Sequence, residues 1–145
     1  MKKNGGRRGQ ALVEFSLVAL MTVLMTLFIV EIGRMLLVYA TVANAARAGV
    51  RYAIVHGSSR AAGSATDDAS GPTSNPTQVL TVVKDFAGAG ALTTGLLIIS
   101  VTYPGASNAP GQSVVVSVVY PYNPLTTYFP KTFRLGSSAQ GVIIF

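Results

Sequence analysis

Arg7-Arg8-Gly9-Gln10-Ala11-Leu12-Val13-Glu14-Phe15 joins a short basic head to a long apolar run, with one carboxylate at the joint. From Ala11 to Val30 the only charge is Glu14. About 20 residues of helix rise about 30 Å, the thickness of a bilayer's hydrocarbon core. The stretch therefore predicts a spanning helix over residues 11–30. A carboxylate at the centre of a span costs about 2.5–3.5 kcal/mol on insertion scales. Two explanations for Glu14 stay open: a partner for its charge in an assembled state, or a favourable place near the dipole at a helix N-terminus.

Lys2, Lys3, Arg7 and Arg8 precede the span and hold that end in the cytoplasm. Residues 1–9 are rich in Gly and are expected to be flexible. A secretory signal peptide is the rival reading, because Ala43-Asn44-Ala45 resembles an A-x-A cleavage site. Glu31 and Arg34 lie between the apolar run and that site, and the separation is longer than a signal peptide's final region normally allows. A spanning helix that is not cut at Ala43-Asn44-Ala45 fits better.

The 145-residue chain is half hydrophobic and only 11% charged, which suits a membrane anchor with one small domain better than a disordered chain. Cysteine is absent, so no disulfide framework and no thiolate chemistry is available. The net charge of +6 invites a nucleic-acid reading, but most of it is accounted for by the basic head and by Arg34, Arg47 and Arg51 on the helical continuation. No reader fold accompanies it, so no nucleic-acid partner is expected.

From Glu31 to Val55 there is no proline and much alanine, so the helix is expected to continue beyond the membrane to about residue 56. Glu31 and Arg34 are spaced to pair. Asn44, Arg47 and Arg51 share one narrow stripe, and Tyr39, Val42, Ala46, Val50 and Ala53 the opposite face. Gly33 and Gly49 either weaken the helix or let a neighbour pack close; the sequence alone does not separate these. His56-Gly57-Ser58 supplies a stop, with Gly57 as the expected C′ residue. Residues 10–56 would form a rod of about 70 Å.

Residues 57–75 read as a flexible surface loop of Gly, Ser, Ala and Asp. Asn75-Pro76 suggests an N-cap followed by Pro at the first helical position, with a short helix over Thr77–Phe86 that Gly88-Ala89-Gly90 ends. Three strands follow: Leu96–Tyr103, Gln112–Tyr120 and Ser137–Ile144. Val114–Val119 is apolar enough to be central and buried on both faces, and Pro121 and Pro124 are expected to break its strand. Leu125–Pro130 reads as an apolar crossing segment. The expected class is α+β, with the outer half of the long helix packed on a small antiparallel sheet of about three strands plus one short helix. About ninety residues of outer domain are marginal alone, so the helix should complete their core.

Chemistry is sparse. His56, the one histidine, sits at a helix end, where capping is a better fit than general base. Asp67-Asp68 lie in the loop without a metal-ligand spacing. No phosphate loop or dinucleotide motif appears, so no cofactor, no metal and no enzymatic activity are expected. Tyr120, Tyr122, Tyr128 and Phe129 cluster between prolines, either as core or as a contact surface.

Gly9-Gln10-Ala11-Leu12-Val13-Glu14-Phe15 resembles the leader of type IV pilin-like proteins, in which a Gly precedes an apolar helix with Glu at its fifth residue. More closely, the segment Arg8–Val18, the Glu31-Ile32-Gly33-Arg34 step, Tyr39 and Asn44-Ala45-Ala46-Arg47-Ala48-Gly49-Val50-Arg51-Tyr52-Ala53 are similar to TadE-like proteins of the tight adherence (Tad/Flp) pilus system. The Val-rich strand into Tyr120-Pro121-Tyr122 also fits. Two departures stand out: the family often has Pro within the span, absent here, and Phe15 stands where related pseudopilins often carry Tyr.

The resemblance implies a minor pilin-like subunit in a bacterial or archaeal-type cytoplasmic (inner) membrane, single-pass, with its N-terminus inside and its C-terminal domain outside. A prepilin peptidase would cut between Gly9 and Gln10. That removes Lys2, Lys3, Arg7 and Arg8 and creates an amine at Gln10, about 6 Å along the helix from Glu14. Glu14 and Phe15 would then act in subunit assembly. The implied partners are prepilin peptidase, other pilin or pseudopilin subunits, the inner-membrane pilus assembly platform and the lipid bilayer. The alternative is an unprocessed single-pass anchor displaying a small extracytoplasmic binding domain.

Overall fold

The computed structural model describes residues 5–59, 76–125 and 132–144, and of residues 5–8 the backbone alone. The class is α+β. The order is α1 (Gly5–Val55), α2 (Thr77–Ala89), a 3₁₀ turn at Thr94–Leu96, β1 (Ile98–Thr102), β2 (Ser113–Tyr122) and β3 (Phe133–Val142). The chain divides into two compact units, Met1–Met35 and Leu36–Phe145.

Helix α1 begins at Gly5, so residues 5–9 are helical where a flexible head was expected. The reason is propagation: once the apolar run is helical, each added residue fixes one more backbone bond. In the first unit every residue from Gly9 to Val30 is exposed except Ala19, which is half-buried. The polar side chains in this stretch satisfy themselves. Ser16, Thr22 and Thr26 donate to the carbonyls of Leu12, Val18 and Thr22 at 2.7–2.9 Å. An unmet hydroxyl in hydrocarbon is costly, and these bonds remove that cost.

In the second unit, α1 supplies one wall of the core. Val42, Ala45, Ala46 and Ala53 are fully buried, and Val38 and Val50 nearly so. Tyr39 was expected on this face but is 47% exposed. The small residues matter because they let the helix approach its neighbours. At Gly49 an added Cβ would meet Val83 of α2 and Val116 of β2, and at Gly141 of β3 it would meet Val50 and Ile54 of α1. Val79, Val83 and Ala87 are the buried face of α2.

The sheet is antiparallel with order β1-β2-β3. Opposite residues share a face, so Val101, Val116 and Ala139 make one inner row, and Val118 with Ser137 and Tyr122 with Phe133 continue the face. Val114, Val116, Val118 and Tyr122 are buried, while Val115, Ser117 and Val119 are half-exposed. The expectation of burial on both faces is therefore corrected: β2 is central but covered on one side. Helix α1 meets the inner face of the sheet at Val116 and Gly141.

Two prolines and several element ends also differ from expectation. Pro76 is the N-cap of α2, with extended backbone, and Thr77 is the first helical residue. Helix α2 runs through Gly88 to Ala89, past Phe86. Pro121 does not break β2, which continues to Tyr122. The β1 ladder ends at Ile98 opposite Val119, so Pro121 lies where β2 pairs with β3 alone, and its missing N–H is tolerated there. Strand β1 is shorter than Leu96–Tyr103 because the 3₁₀ turn takes Leu96. Strand β3 begins four residues before Ser137.

The end of α1 is closed by long-range bonds. Ile144 N–H donates to Ile54 O at 2.9 Å, and Ser58 N–H to Asn108 O at 3.0 Å. With α1 ending at Val55, Gly57 stands two residues beyond the last helical residue, at the expected C′ position.

Candidate assembly segment and cleavage bond

Glu14 and Phe15 project from an exposed, otherwise apolar helix surface: Leu12, Val13, Phe15, Leu17 and Val18 are all more than half exposed. Glu14 is exposed too, and Gln10 lies one turn before it on the same face. An apolar cylinder with one carboxylate is poorly suited to water and well suited to lipid or to other helices.

Gly9 has nothing within 4 Å of where a Cβ would stand. The Gly9–Gln10 bond is thus open on the helix surface. Gly5, Gly6 and Gly9 each weaken the helix by about 1 kcal/mol relative to Ala, which makes local unwinding at this bond inexpensive. Lys2 and Lys3 lie outside the described residues, as do Asp67, Asp68, Tyr128 and Phe129. Arg7 and Arg8 lie on the helical backbone.

Glu31 and Arg34 pair at 3.5 Å between Oε1 and Nη1. The Glu31 side chain is only 5% exposed and Arg34 40%. A buried carboxylate persists only when it is compensated, and an arginine one turn on supplies that. Arg47 donates to Asn44 Oδ1 at 3.1 Å, along the exposed stripe.

His56 stacks on Tyr52 with ring centroids 3.7 Å apart, and its Nδ1 lies 2.8 Å from Tyr52 O. A carbonyl only accepts, so Nδ1 is the protonated nitrogen in this bond. The side chain caps one of the helix's last carbonyls. An open groove of about 300 Å³ lies beside this pair, lined by Tyr52, Thr77, Gln78, Thr81 and Val82.

Sequence reasoning did not anticipate the back-bonded hydroxyls of Ser16, Thr22 and Thr26, although Ser or Thr in an apolar helix is a known signal for such bonds. It also left the role of Gly49 open. The structure separates the two helix glycines: Gly49 permits close packing, whereas Gly33 has nothing within 4 Å.

Residues 9–51 match the family model described as TadE-like protein. The matched segment starts at Gly9, contains Glu14, Glu31, Arg34 and Arg47, and ends at Arg51 within α1. The TadE-like match thus covers the helix and leaves α2 and the sheet outside it. No curated protein and no solved structure matches the chain.

Proposed function

We propose that this chain is a pilin-like structural subunit, a TadE-like minor pseudopilin of a tight adherence pilus. It inserts once into the cytoplasmic membrane with its N-terminus inside, is trimmed after Gly9 by a prepilin peptidase, and assembles through its N-terminal helix. The observation that carries this reading is the TadE-like match over residues 9–51, which begins at Gly9 itself. One helix long and apolar enough to cross a membrane lies within Gly9–Val55.

The role is structural rather than catalytic in this reading. Its one histidine is engaged at the end of α1 with Tyr52, where it holds a helix terminus. Trimming removes the cations that fix topology and exposes an amine at Gln10. Glu14 can then pair with that amine, in its own chain or a neighbour's. Loss of one member of such a buried pair costs about 3–5 kcal/mol, enough to enforce helix register. The other subunits and the assembly platform are the partners that this requires.

The test is the intact mass of the protein extracted from membranes of cells with an active prepilin peptidase. Loss of residues 1–9 is expected. An untrimmed N-terminus would overturn the reading and leave an unprocessed single-pass anchor displaying a binding domain.

A further inference from the structure

Strand β3 has one edge paired and one edge open. Its ten residues, Phe133–Val142, pair with β2 in unbroken register from Tyr122↔Phe133 to Ser113↔Val142. Among the described residues no strand pairs with its other edge. Exposed edges are ordinarily protected by brevity, Lys, Pro or a bulge. This edge is about twice the usual strand length, and it contains no Pro, no Lys and no break in register. Its one charge is Arg134, which is exposed.

An open edge presents a row of N–H and C=O groups that an extended chain satisfies. The side chains add a pattern. Phe133, Leu135, Ser137 and Ala139 lie on the inner face and are half-buried, while Arg134, Gly136, Ser138 and Gln140 lie on the outer face and are exposed. The inner face is thus unfinished at this margin. A strand that completes it needs apolar residues at alternate positions, and Arg134 favours a carboxylate opposite it.

We infer that the free edge of β3 is a strand-addition site for an antiparallel extended segment of a different polypeptide, apolar at alternate positions and acidic opposite Arg134. A second copy of this chain fits poorly. The strand's one charge is Arg134 itself, so β3 offers no carboxylate to a second β3.

The test uses the full chain in detergent and a synthetic peptide, Ser-Val-Val-Val-Ser-Val-Val-Tyr-Asp-Tyr. This is the β2 sequence, which already complements β3, with Asp in the place of Pro121, the partner of Arg134. Hydrogen exchange is read at residues 133–142. The peptide is expected to protect β3 amides, and a Lys version of it to bind about two- to fivefold more weakly. Arg134→Glu, at an exposed position, should reverse that preference. The proposal is overturned by absence of protection at β3 with either peptide, or by a preference that Arg134→Glu does not move. It is also overturned by disulfide-linked dimers of Ser137→Cys or Ser138→Cys, which would assign the edge to a second copy; the chain has no other cysteine to confuse the result. The peptide experiment and the intact mass fail independently.

Discussion

A methyl group added at Gly49 would lie 2.5 Å from Val83 Cγ2 and 3.2 Å from Val116 Cγ1. Both neighbours are short, β-branched side chains with little freedom to move aside. At Gly49, therefore, α1 packs closely against both α2 and β2, and Gly49→Ala should overpack the contact. The strain of about 1–3 kcal/mol exceeds the gain of about 1 kcal/mol from replacing a helical glycine. Thermal unfolding of the full chain in detergent should show a lower midpoint for Gly49→Ala. Gly33→Ala, in open surroundings, should show an unchanged or higher one.

Helix α2 ends in a Schellman motif with the wrong residue at its turning point. Leu92 N–H donates to Ala87 O at 3.1 Å and Ala91 N–H to Gly88 O at 2.9 Å, and Ala91 stands at φ 62°. The left-handed position is the one glycine normally fills. Ala91→Gly relieves a cost of about 1–2 kcal/mol, offset in part by extra freedom in the unfolded chain. A net gain of about 0.5–1 kcal/mol is expected, measured by denaturant unfolding.

His56→Ala removes both the bond to Tyr52 O and the ring stack. Each is worth about 0.5–1.5 kcal/mol, so a loss of about 1–3 kcal/mol is expected. Faster hydrogen exchange confined to the last turn of α1 would place the effect there. His56→Asn keeps a donor but no ring and should fall between the two.

Under the proposed function, Glu14→Ala separates cleavage from assembly. The variant should be trimmed like the parent, because the scissile bond and its basic flank are untouched. Incorporation into pilus-associated fractions should fall at least tenfold, the loss expected when a charge pair worth more than about 1.4 kcal/mol disappears. Normal incorporation would remove the pairing role of Glu14.

The elements legible in the sequence were those with strong periodicity: the apolar run of α1, the amphipathic Val79-Leu80-Val82-Val83 segment of α2, and the Val-rich centre of β2. Features set by distant partners were not. Pro121 reads as a strand breaker until one knows that β1 has already ended opposite Val119. The alternation of burial along β2 is hidden because Val115 and Val119 are as apolar as Val114 and Val116. Ala91 gives no hint of its backbone conformation, since Gly88 and Gly90 nearby look like better turning points. At the candidate site, Gly9, Gln10 and Glu14 are legible by spacing, whereas the buried state of Glu31 depends on the folded chain.

The bond from Ile144 to Ile54, with Gly141 seated against Val50 and Ile54, has a consequence for biogenesis. About ninety residues separate Ile54 from the residue that bonds to it, so this closure is strongly non-local. During synthesis α2 and β2 reach the wall at Gly49 first, and the patch at Val50 and Ile54 stays uncovered until Gly141 has been made. A chain released before Gly141 would present that patch to solvent, with the aggregation hazard that uncovered apolar surface brings.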